Sequence, residues 1–133
     1  MAPRTRAGIT GAMRTMQFVP IMLAALLALP GCGGPAANEV DTRLVSFART
    51  SVTINHGEAV RFVSAVQGGG AHVLCIGQGL TCVPQAGAPA ELNTTTGVDL
   101  EPGNERDVVF PNAGTYQVVC TIHPNMTLTV VVK

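Results

Sequence analysis

Short β-rich segments separated by turn residues occupy the chain from residue 40 to the C-terminus, and this pattern limits the folds it can adopt. The segments alternate apolar and polar side chains near period two, and 115–121 and 127–133 are rich in β-branched residues. Sequences such as Asn55-His56-Gly57 separate them, because Asn and Gly adopt positive φ readily. Since no stretch of ten residues here has the apolar spacing of a helix, the pattern predicts an all-β sandwich or barrel.

The same alternation sets the predicted strand boundaries. One face of the third segment carries Val60, Phe62, Ser64 and Val66. Residues 77–97 are rich in Gly, Pro, Thr and Ala, so we expect a long irregular excursion there, with room for a short helical turn. The predicted strands are 40–47, 51–54, 59–66, 71–76, 98–100, 106–110, 115–121 and 127–133.

The first third of the chain has the pattern of an export signal. Three arginines precede the first acidic residue, Glu39, and an apolar run of twelve residues extends from Phe18 to Leu29. That run is shorter than the roughly 20 apolar residues of a membrane-spanning helix. A basic start, a short apolar middle and small residues at a cleavage site indicate a secretory signal. An uncleaved N-terminal anchor is the alternative, and both place the domain outside the cytoplasm.

The end of this segment, Leu29-Pro30-Gly31-Cys32, resembles the lipobox of bacterial lipoproteins. In that family the cysteine after the cleavage site becomes the lipidated N-terminus, which here implies Cys32. Several acyl chains on one residue anchor a protein firmly, whereas one chain binds only marginally. The resemblance implies a signal peptide at 1–31, a lipidated cysteine and flexible tether at 32–40, and a domain at 41–133 on the periplasmic or cell-surface side of a bacterial membrane.

The charge of the exported part argues against several classes of function. Without residues 1–31 the chain has five basic side chains against eight acidic ones, a net charge of about −3 with neutral histidines. No basic patch remains, so we do not expect nucleic acid as a partner. No Ser-His-Asp order, paired-carboxylate motif or phosphate-binding loop supports catalysis, so we do not expect an enzyme. A monomer is the default expectation.

A thiol, an imidazole and a thioether lie within seven residues of one another near the C-terminus: Cys120, His123 and Met126. Strong strand segments flank them, so they belong to a tight connecting loop that can direct all three side chains at one point. Thiolate favours Cu(I), imidazole suits Cu(II), and a weak Met ligand accompanies both in copper electron-transfer sites. The spacing therefore predicts a copper site that tolerates both oxidation states.

A trigonal site of this kind needs a second histidine, and after the signal segment the chain offers only His56 and His72. The predicted strand between them has eight residues, which separates the two by roughly 25 Å at about 3.3 Å per residue. Only one of them can therefore approach Cys120. The Gly-rich break at 68–70 gives His72 a loop setting before a short strand, so we predict His72 as the ligand.

Together these features resemble the cupredoxins, the blue-copper family that includes plastocyanin, azurin and amicyanin. The resemblance covers residues 44–133, and its spacing is most similar to the short ligand loop of amicyanin. It implies a cupredoxin-like Greek-key β-sandwich with one copper ion at one end and electron transfer as the activity. The elements that carry it are Gly57, the strand at 59–66, His72, Gly114-Thr115-Tyr116 and Cys120-x-x-His123-x-x-Met126.

The resemblance also implies a role for each ligand. Cys120 is similar to the family's thiolate ligand, and Met126 to its weak axial ligand. His72 is similar to the enclosed imidazole ligand. His123 is similar to the surface imidazole, through which electrons enter or leave.

Two kinds of partner follow from these resemblances. Ile122 and Pro124 flank His123, and we expect them to form an apolar patch on which an unidentified redox protein docks. The membrane is the second partner, contacted through the lipid on Cys32.

A count of the cysteines leaves one pair. With Cys32 assigned to lipid and Cys120 to copper, Cys75 and Cys82 remain in an oxidising compartment, which favours a disulfide between them. It would hold the loop that carries His72. A redox-active pair or extra metal ligands are the functional alternatives.

Three functions are compatible with this pattern. The first is a tethered type 1 copper protein that carries single electrons, and the second is a protein that binds and delivers copper without redox duty. The third is a non-redox interaction module on the same scaffold. The thiolate and the axial Met favour the first. A delivery site would more often expose several Met or His, whereas Met126 is the only Met after residue 31.

Overall fold

A computed structural model describes residues 37–133 of the chain, and the observations below concern these residues. The signal peptide predicted at 1–31, the lipid site at Cys32 and the first part of the predicted tether lie outside them. None of the described residues forms a helix with the length and apolar character needed to cross a membrane. The strands are β1 Glu39–Arg43, β2 Ser46–Phe47, β3 Ser51–Ile54, β4 Ala59–Ser64, β5 His72–Gln78, β6 Thr81–Cys82, β7 Val98–Leu100, β8 Glu105–Val109, β9 Gly114–Cys120 and β10 Thr127–Val132.

These strands form two sheets, and the prediction of an all-β sandwich is confirmed. The first sheet has the order β2-β1-β4-β8, and the second has the order β3-β10-β9-β5-β6, with β7 also paired to β5. Two pairings are parallel, β1 with β4 and β3 with β10. The remaining pairings are antiparallel. Each parallel pair joins strands that are not consecutive along the chain, so local patterns alone could not reveal it.

The core lies between the two sheets and is built from alternate residues of each strand. In β10, Leu128, Val130 and Val132 are buried while the residues between them are partly exposed. From the first sheet Phe62 is fully buried, and its ring centroid lies 6.1 Å from that of Phe47. Burying a Val, Leu or Phe side chain contributes about 1.5–3 kcal/mol each. The period-two alternation is therefore the main source of the sandwich's stability.

The segment 40–47, predicted as one strand, contains two. Arg43 at the end of β1 pairs with Ser46 at the start of β2, and Leu44 and Val45 form the turn between them. Successive side chains of a strand point to opposite faces, so two consecutive apolar residues cannot both reach the core. Leu44 and Val45 are instead 65% and 61% exposed.

Two other strand boundaries differ from the pattern. β1 begins at Glu39, inside the range predicted as tether, because Val40 is completely buried in the core. β4 ends at Ser64, so Val66 leaves the core face predicted for it and is 80% exposed.

A hairpin also occupies part of the segment predicted to be irregular. β5 continues to Gln78 and folds back as β6. Gly77 makes this possible, because a Cβ at that position would lie 2.1 Å from the Thr81 carbonyl oxygen. Further along, a single turn is closed by the Asn93 N–H donating to the Pro89 carbonyl at 2.9 Å.

The antiparallel pairing of β5 with β9 brings the predicted ligands to one end of the sandwich. Leu74 lies opposite Cys120 in this pair, so His72 at the start of β5 and Cys120 at the end of β9 reach the same end. We call this the ligand end. β1 and β4 run in parallel toward it, with Thr42 paired to Ser64.

Candidate metal centre

Three potential metal-binding atoms converge at the ligand end. Cys120 Sγ lies 3.5 Å from His123 Nδ1 and 3.9 Å from His72 Nδ1. The two Nδ1 atoms are 3.2 Å apart, and all three ligand atoms lie within 4.8 Å of one another. One thiol and two imidazole nitrogens directed at a common point match the donor set of a trigonal His₂Cys copper site.

The His72 ring is held by the backbone of the Gly-rich loop, residues 68–70. Its Nε2 lies 2.6 Å from the Gly69 carbonyl oxygen. A carbonyl can only accept, so Nε2 carries the proton and Nδ1 keeps a free lone pair toward Cys120. His72 is 1% exposed. Burial lowers the pKa of His72, the nearby His123 ring lowers it further, and the Gly69 carbonyl opposes both. The neutral, metal-binding form is therefore favoured.

The loop from Cys120 to Met126, which we call the ligand loop, is closed by its own backbone. The Cys120 N–H donates to the Met126 carbonyl at 3.1 Å, and the Met126 N–H donates to the His123 carbonyl at 3.3 Å. Asn125 has a φ of 63°. Pro124 followed by a residue with positive φ is the signature of a type II turn. The sequence Pro124-Asn125 thus explains why the loop can be so short.

The ligand loop is also fastened to β5. The Thr121 N–H donates to the Val73 carbonyl at 2.9 Å, directly beside His72 in the chain. This bond couples the segment that carries Cys120 and His123 to the strand that carries the other histidine. The distances between the three ligand atoms are therefore fixed by backbone contacts as well as by the side chains themselves.

The four predicted ligands differ in their access to solvent. Cys120, Met126 and His72 are almost completely buried, whereas His123 is half-buried. Ile122 and Pro124, which flank His123, are exposed. Only the His123 edge of the candidate site therefore meets the surface.

The other sequence-predicted residues lie where their assigned roles allow. Cys75 and Cys82 form a disulfide with a Cα–Cα distance of 5.6 Å, and Cys120 is a free, buried thiol. The backbone N–H of His56 donates to the Lys133 carbonyl at the end of the sandwich opposite the ligand end. His56 does not belong to the ligand cluster.

The sequence did not predict the polar groups that hold the His72 ring on the side away from Cys120. They are the Gly69 carbonyl and two buried hydroxyls, those of Thr42 and Ser64. A signal was present in the sequence, since both hydroxyl residues occupy core-facing positions of strands whose other core-facing residues are apolar. A polar side chain in such a position needs a hydrogen-bond partner.

Comparisons with known proteins agree with this geometry. Residues 35–133 match the family model described as copper binding proteins, plastocyanin/azurin family. No curated protein matches the chain significantly.

Solved structures of amicyanin share the fold. The crystal structure of amicyanin from Paracoccus versutus (Thiobacillus versutus) has a TM-score of 0.52 and 21% identity, covering 80% of this chain and 86% of that one. An oxidized amicyanin mutant has a TM-score of 0.54 and 19% identity, covering 76% and 86%. The Cu(I) form of another amicyanin mutant has a TM-score of 0.51 and 20% identity, covering 71% and 80%.

Proposed function

The chain belongs to the plastocyanin/azurin family of copper-binding proteins, and from that premise we propose that it is a type 1 copper protein that carries single electrons and turns over no substrate. Its cofactor is copper, for which His72, Cys120, His123 and Met126 are positioned as one ligand set. The observation that carries the proposal is the convergence of one buried thiol and two imidazole nitrogens within 4.8 Å.

The chemistry of the donor set supports electron carriage. When bound, copper supplies a one-electron couple between Cu(II) and Cu(I), and thiolate with imidazole suits both states. The chain's contribution is to keep these donors in place. The Gly69 carbonyl orients His72, and the Cys120 N–H to Met126 carbonyl bond closes the ligand loop. Ligands held in this way move little between oxidation states.

We assign His123 as the point of electron entry and exit, because it is the predicted ligand with the greatest access to solvent. Ile122 is 52% exposed, and Pro124 is exposed beside it. Exposed apolar residues next to a ligand favour docking of a redox protein through a largely uncharged face. The exposed turn residues Leu44 and Val45 lie at the same end, and the Leu44 backbone approaches Gly70 closely.

The direction of β1 determines which end of the domain a tether on Cys32 would meet. The strand runs toward the ligand end, so Glu39 lies about 13 Å away from that end at about 3.3 Å per residue. A lipid on Cys32 would be joined to Glu39 through the six residues between them, and the seven residue steps from Cys32 to Glu39 reach at most about 25 Å when extended. The domain would stay close to the membrane of a bacterial cell, on its outer side, with the ligand end directed away from the lipid.

Voltammetry of the copper-loaded protein tests electron carriage directly. We expect a reversible one-electron wave whose potential follows about 59 mV per tenfold change in the oxidised-to-reduced ratio. The Cys120→Ala variant should lack this wave. A protein that binds copper but gives no reversible wave, and that releases the ion to an apo acceptor instead, would support copper delivery and overturn the proposal.

A further inference from the structure

Three buried polar side chains of the described residues meet at the Gly-rich loop. They are Thr42, Ser64 and His72, with 3%, 1% and 1% exposure, and apart from Tyr116 and the cysteines the described residues bury no other polar or charged side chain to this degree. They come from β1, β4 and β5 and therefore from both sheets. Each has a polar atom within hydrogen-bond distance of a carbonyl of this loop.

The contacts divide between two neighbouring carbonyls. The Ser64 hydroxyl donates to the Gly70 carbonyl at 2.7 Å. The Thr42 hydroxyl lies 3.4 Å from the Gly69 carbonyl and 3.2 Å from that of Val63. The Gly69 carbonyl also accepts the His72 Nε2 proton at 2.6 Å. The hydroxyls thus hold the same peptide segment that orients the ligand ring.

Two hydrogen bonds of its own backbone hold Ser64 in place beside this loop. Its backbone N–H donates to the Asn104 carbonyl at 2.9 Å, and its own carbonyl accepts from the Gly103 N–H at 2.6 Å. The loop lies directly against it, because a Cβ on Gly69 would come within 2.4 Å of the Ser64 hydroxyl. Only glycine fits at position 69 with this packing.

A purely structural role for the hydroxyls is the alternative, since a buried carbonyl needs a donor wherever it lies. The position of Ser64 argues for more than that. The other core-facing residues of its strand, Val60 and Phe62, are apolar and completely buried. A buried hydroxyl there is unfavourable unless it is hydrogen-bonded, and its partner is the carbonyl next to the one that binds His72.

We propose that Ser64 and Thr42 are positioning residues for the metal site. Ser64 holds the Gly70 carbonyl and Thr42 lies beside the Gly69 carbonyl, so together they fix the Gly69–Gly70 segment whose Gly69 carbonyl accepts from His72 Nε2. His72 Nδ1 then faces Cys120 before any metal arrives. The proposal rests on His72 being the copper ligand of the proposed function, but it does not depend on electron carriage. Outer partners of a metal-binding histidine fix its tautomer and orientation, and losing one typically weakens metal binding by about 10- to 100-fold.

Two measurements on the full-length protein test this. NMR of the metal-free protein follows exchange of the His72 Nε2 proton, and competition titration gives the affinities for Cu(II) and Co(II). The variants are Ser64→Ala, Thr42→Val and Thr42→Ser. Of the two Thr42 variants, only Thr42→Ser keeps the hydroxyl. The matched control is Thr53→Ala, which removes an exposed hydroxyl from β3.

We expect Ser64→Ala to speed exchange of the His72 proton and to weaken the binding of both metals by up to about 10-fold, the lower end of the range for a direct partner of the histidine, because Ser64 holds the neighbouring peptide. Thr42→Val should act in the same direction but less, because the single hydroxyl proton of Thr42 is shared between the Val63 carbonyl at 3.2 Å and the Gly69 carbonyl at 3.4 Å. Thr42→Ser should restore native behaviour. Thr53→Ala should change nothing. The proposal is overturned if Ser64→Ala lowers the unfolding midpoint but leaves proton exchange and both affinities unchanged.

Loss of folding in Ser64→Ala would not block the test, because the Thr42 pair then decides it. Equal exchange rates and affinities in Thr42→Val and Thr42→Ser would overturn the role of that hydroxyl. The readouts also separate this inference from the proposed function. A protein that binds copper without a reversible one-electron wave would refute electron carriage, yet the proton-exchange result in the metal-free state would still stand or fall by itself.

Discussion

The ligand loop and the Gly-rich loop meet at the same end of the sandwich, but they place their ligands in different ways. The ligand loop, 120–126, carries three predicted ligands within seven residues and closes itself through its own backbone. The Gly-rich loop, 68–70, carries none, and it orients one ligand through a carbonyl. The hydroxyls that contact it come from β1 and β4 of the first sheet, whereas the ligand loop joins β9 and β10 of the second sheet.

The difference shows that contacts between near and distant residues both contribute to the geometry of one site. The turn at Pro124-Asn125 depends on neighbours in sequence, whereas the hydroxyl of Thr42 lies 27 residues from Gly69 along the chain. Local contacts therefore determine how closely the three ligands of the ligand loop are spaced. At the Gly-rich loop the short bonds from His72 to Gly69 and from Ser64 to Gly70 are local as well, and Thr42 adds the one long-range contact among them.

The largest expected effect separates the two histidines. Both His72→Gly and His123→Gly should lose more copper affinity than the roughly 10- to 100-fold typical of an outer hydrogen bond. Added imidazole should restore the site only in His123→Gly, because His123 is half-buried whereas His72 is 1% exposed. Copper titration with and without imidazole measures this.

The stability of the metal-free His72→Gly protein gives a second measurement. His72→Gly leaves a cavity lined by the Gly69 carbonyl, which would lose the nearer of its two donors, so the metal-free protein should also be less stable. If imidazole rescued both variants equally, the contrast between a buried and an accessible histidine would be wrong.

The disulfide gives the next effect. Cys75 and Cys82 are seven residues apart, and closing a loop of that size stabilises by about 2–3 kcal/mol in the chain-entropy model. The Cys75→Ala/Cys82→Ala double variant should lose about that much free energy of unfolding. It should keep its copper spectrum, because backbone pairing with β9 and β7 also holds β5. Chemical denaturation and absorption measure the two properties, and loss of the spectrum in a folded variant would show that the disulfide positions His72.

A smaller effect is expected within the ligand loop. Asn125→Val should destabilise the protein by about 1–2 kcal/mol or somewhat more, because left-handed backbone is unfavourable for residues with a Cβ and worst for β-branched ones. Asn125→Gly is the matched control and should be nearly neutral. Thermal unfolding of the metal-free variants checks this, and equal loss in both would mean that the side chain of Asn125, not its φ of 63°, is what the loop needs.

The smallest expected effect concerns an ion pair outside both loops, whose loss should not affect the metal site. The Arg61 guanidinium donates to Asp107 at 2.8 Å and lowers the pKa of that carboxyl below its usual 3.8, an effect that slight desolvation opposes. A lowered pKa stabilises the fold above the unfolded value, and this contribution is lost as the pH falls through the folded value. Both side chains are largely exposed, so the effect is small.

Asp107→Asn should therefore be slightly less stable than the native protein at about pH 7, and equally stable at a pH well below the usual carboxyl value of 3.8. Urea midpoints at both pH values test the convergence. A difference of the same size at both pH values would mean that the ion pair contributes nothing through its charge. Copper binding should be unchanged throughout.

Much of the site could be predicted because its signals are local. Cys120, His123 and Met126 are spaced along one loop, and the Gly-rich break singled out His72. The alternation that predicted the strands follows from period-two burial, which needs no knowledge of the partner strand. The disulfide followed from counting cysteines, given the oxidising compartment that the N-terminal pattern predicts.

The rest depends on contacts between distant parts of the chain. Nothing near Thr42 indicates that its hydroxyl reaches the Gly-rich loop, since that contact requires β1 and β4 to lie side by side in parallel. The β5–β6 hairpin is an exception, because Gln78 pairs with Thr81 across a two-residue turn at Gly79 and Leu80. A glycine in such a turn is a local hairpin signal, and it was missed within the Gly-, Pro- and Thr-rich composition of 77–97.

The most direct test of the copper assignment is the visible absorption spectrum of residues 33–133 after addition of one equivalent of Cu(II). We expect an intense blue or green colour that ascorbate bleaches and that is absent in Cys120→Ala. A folded protein that binds copper or zinc without this colour would contradict a thiolate–copper redox centre and would favour metal handling or a non-redox module.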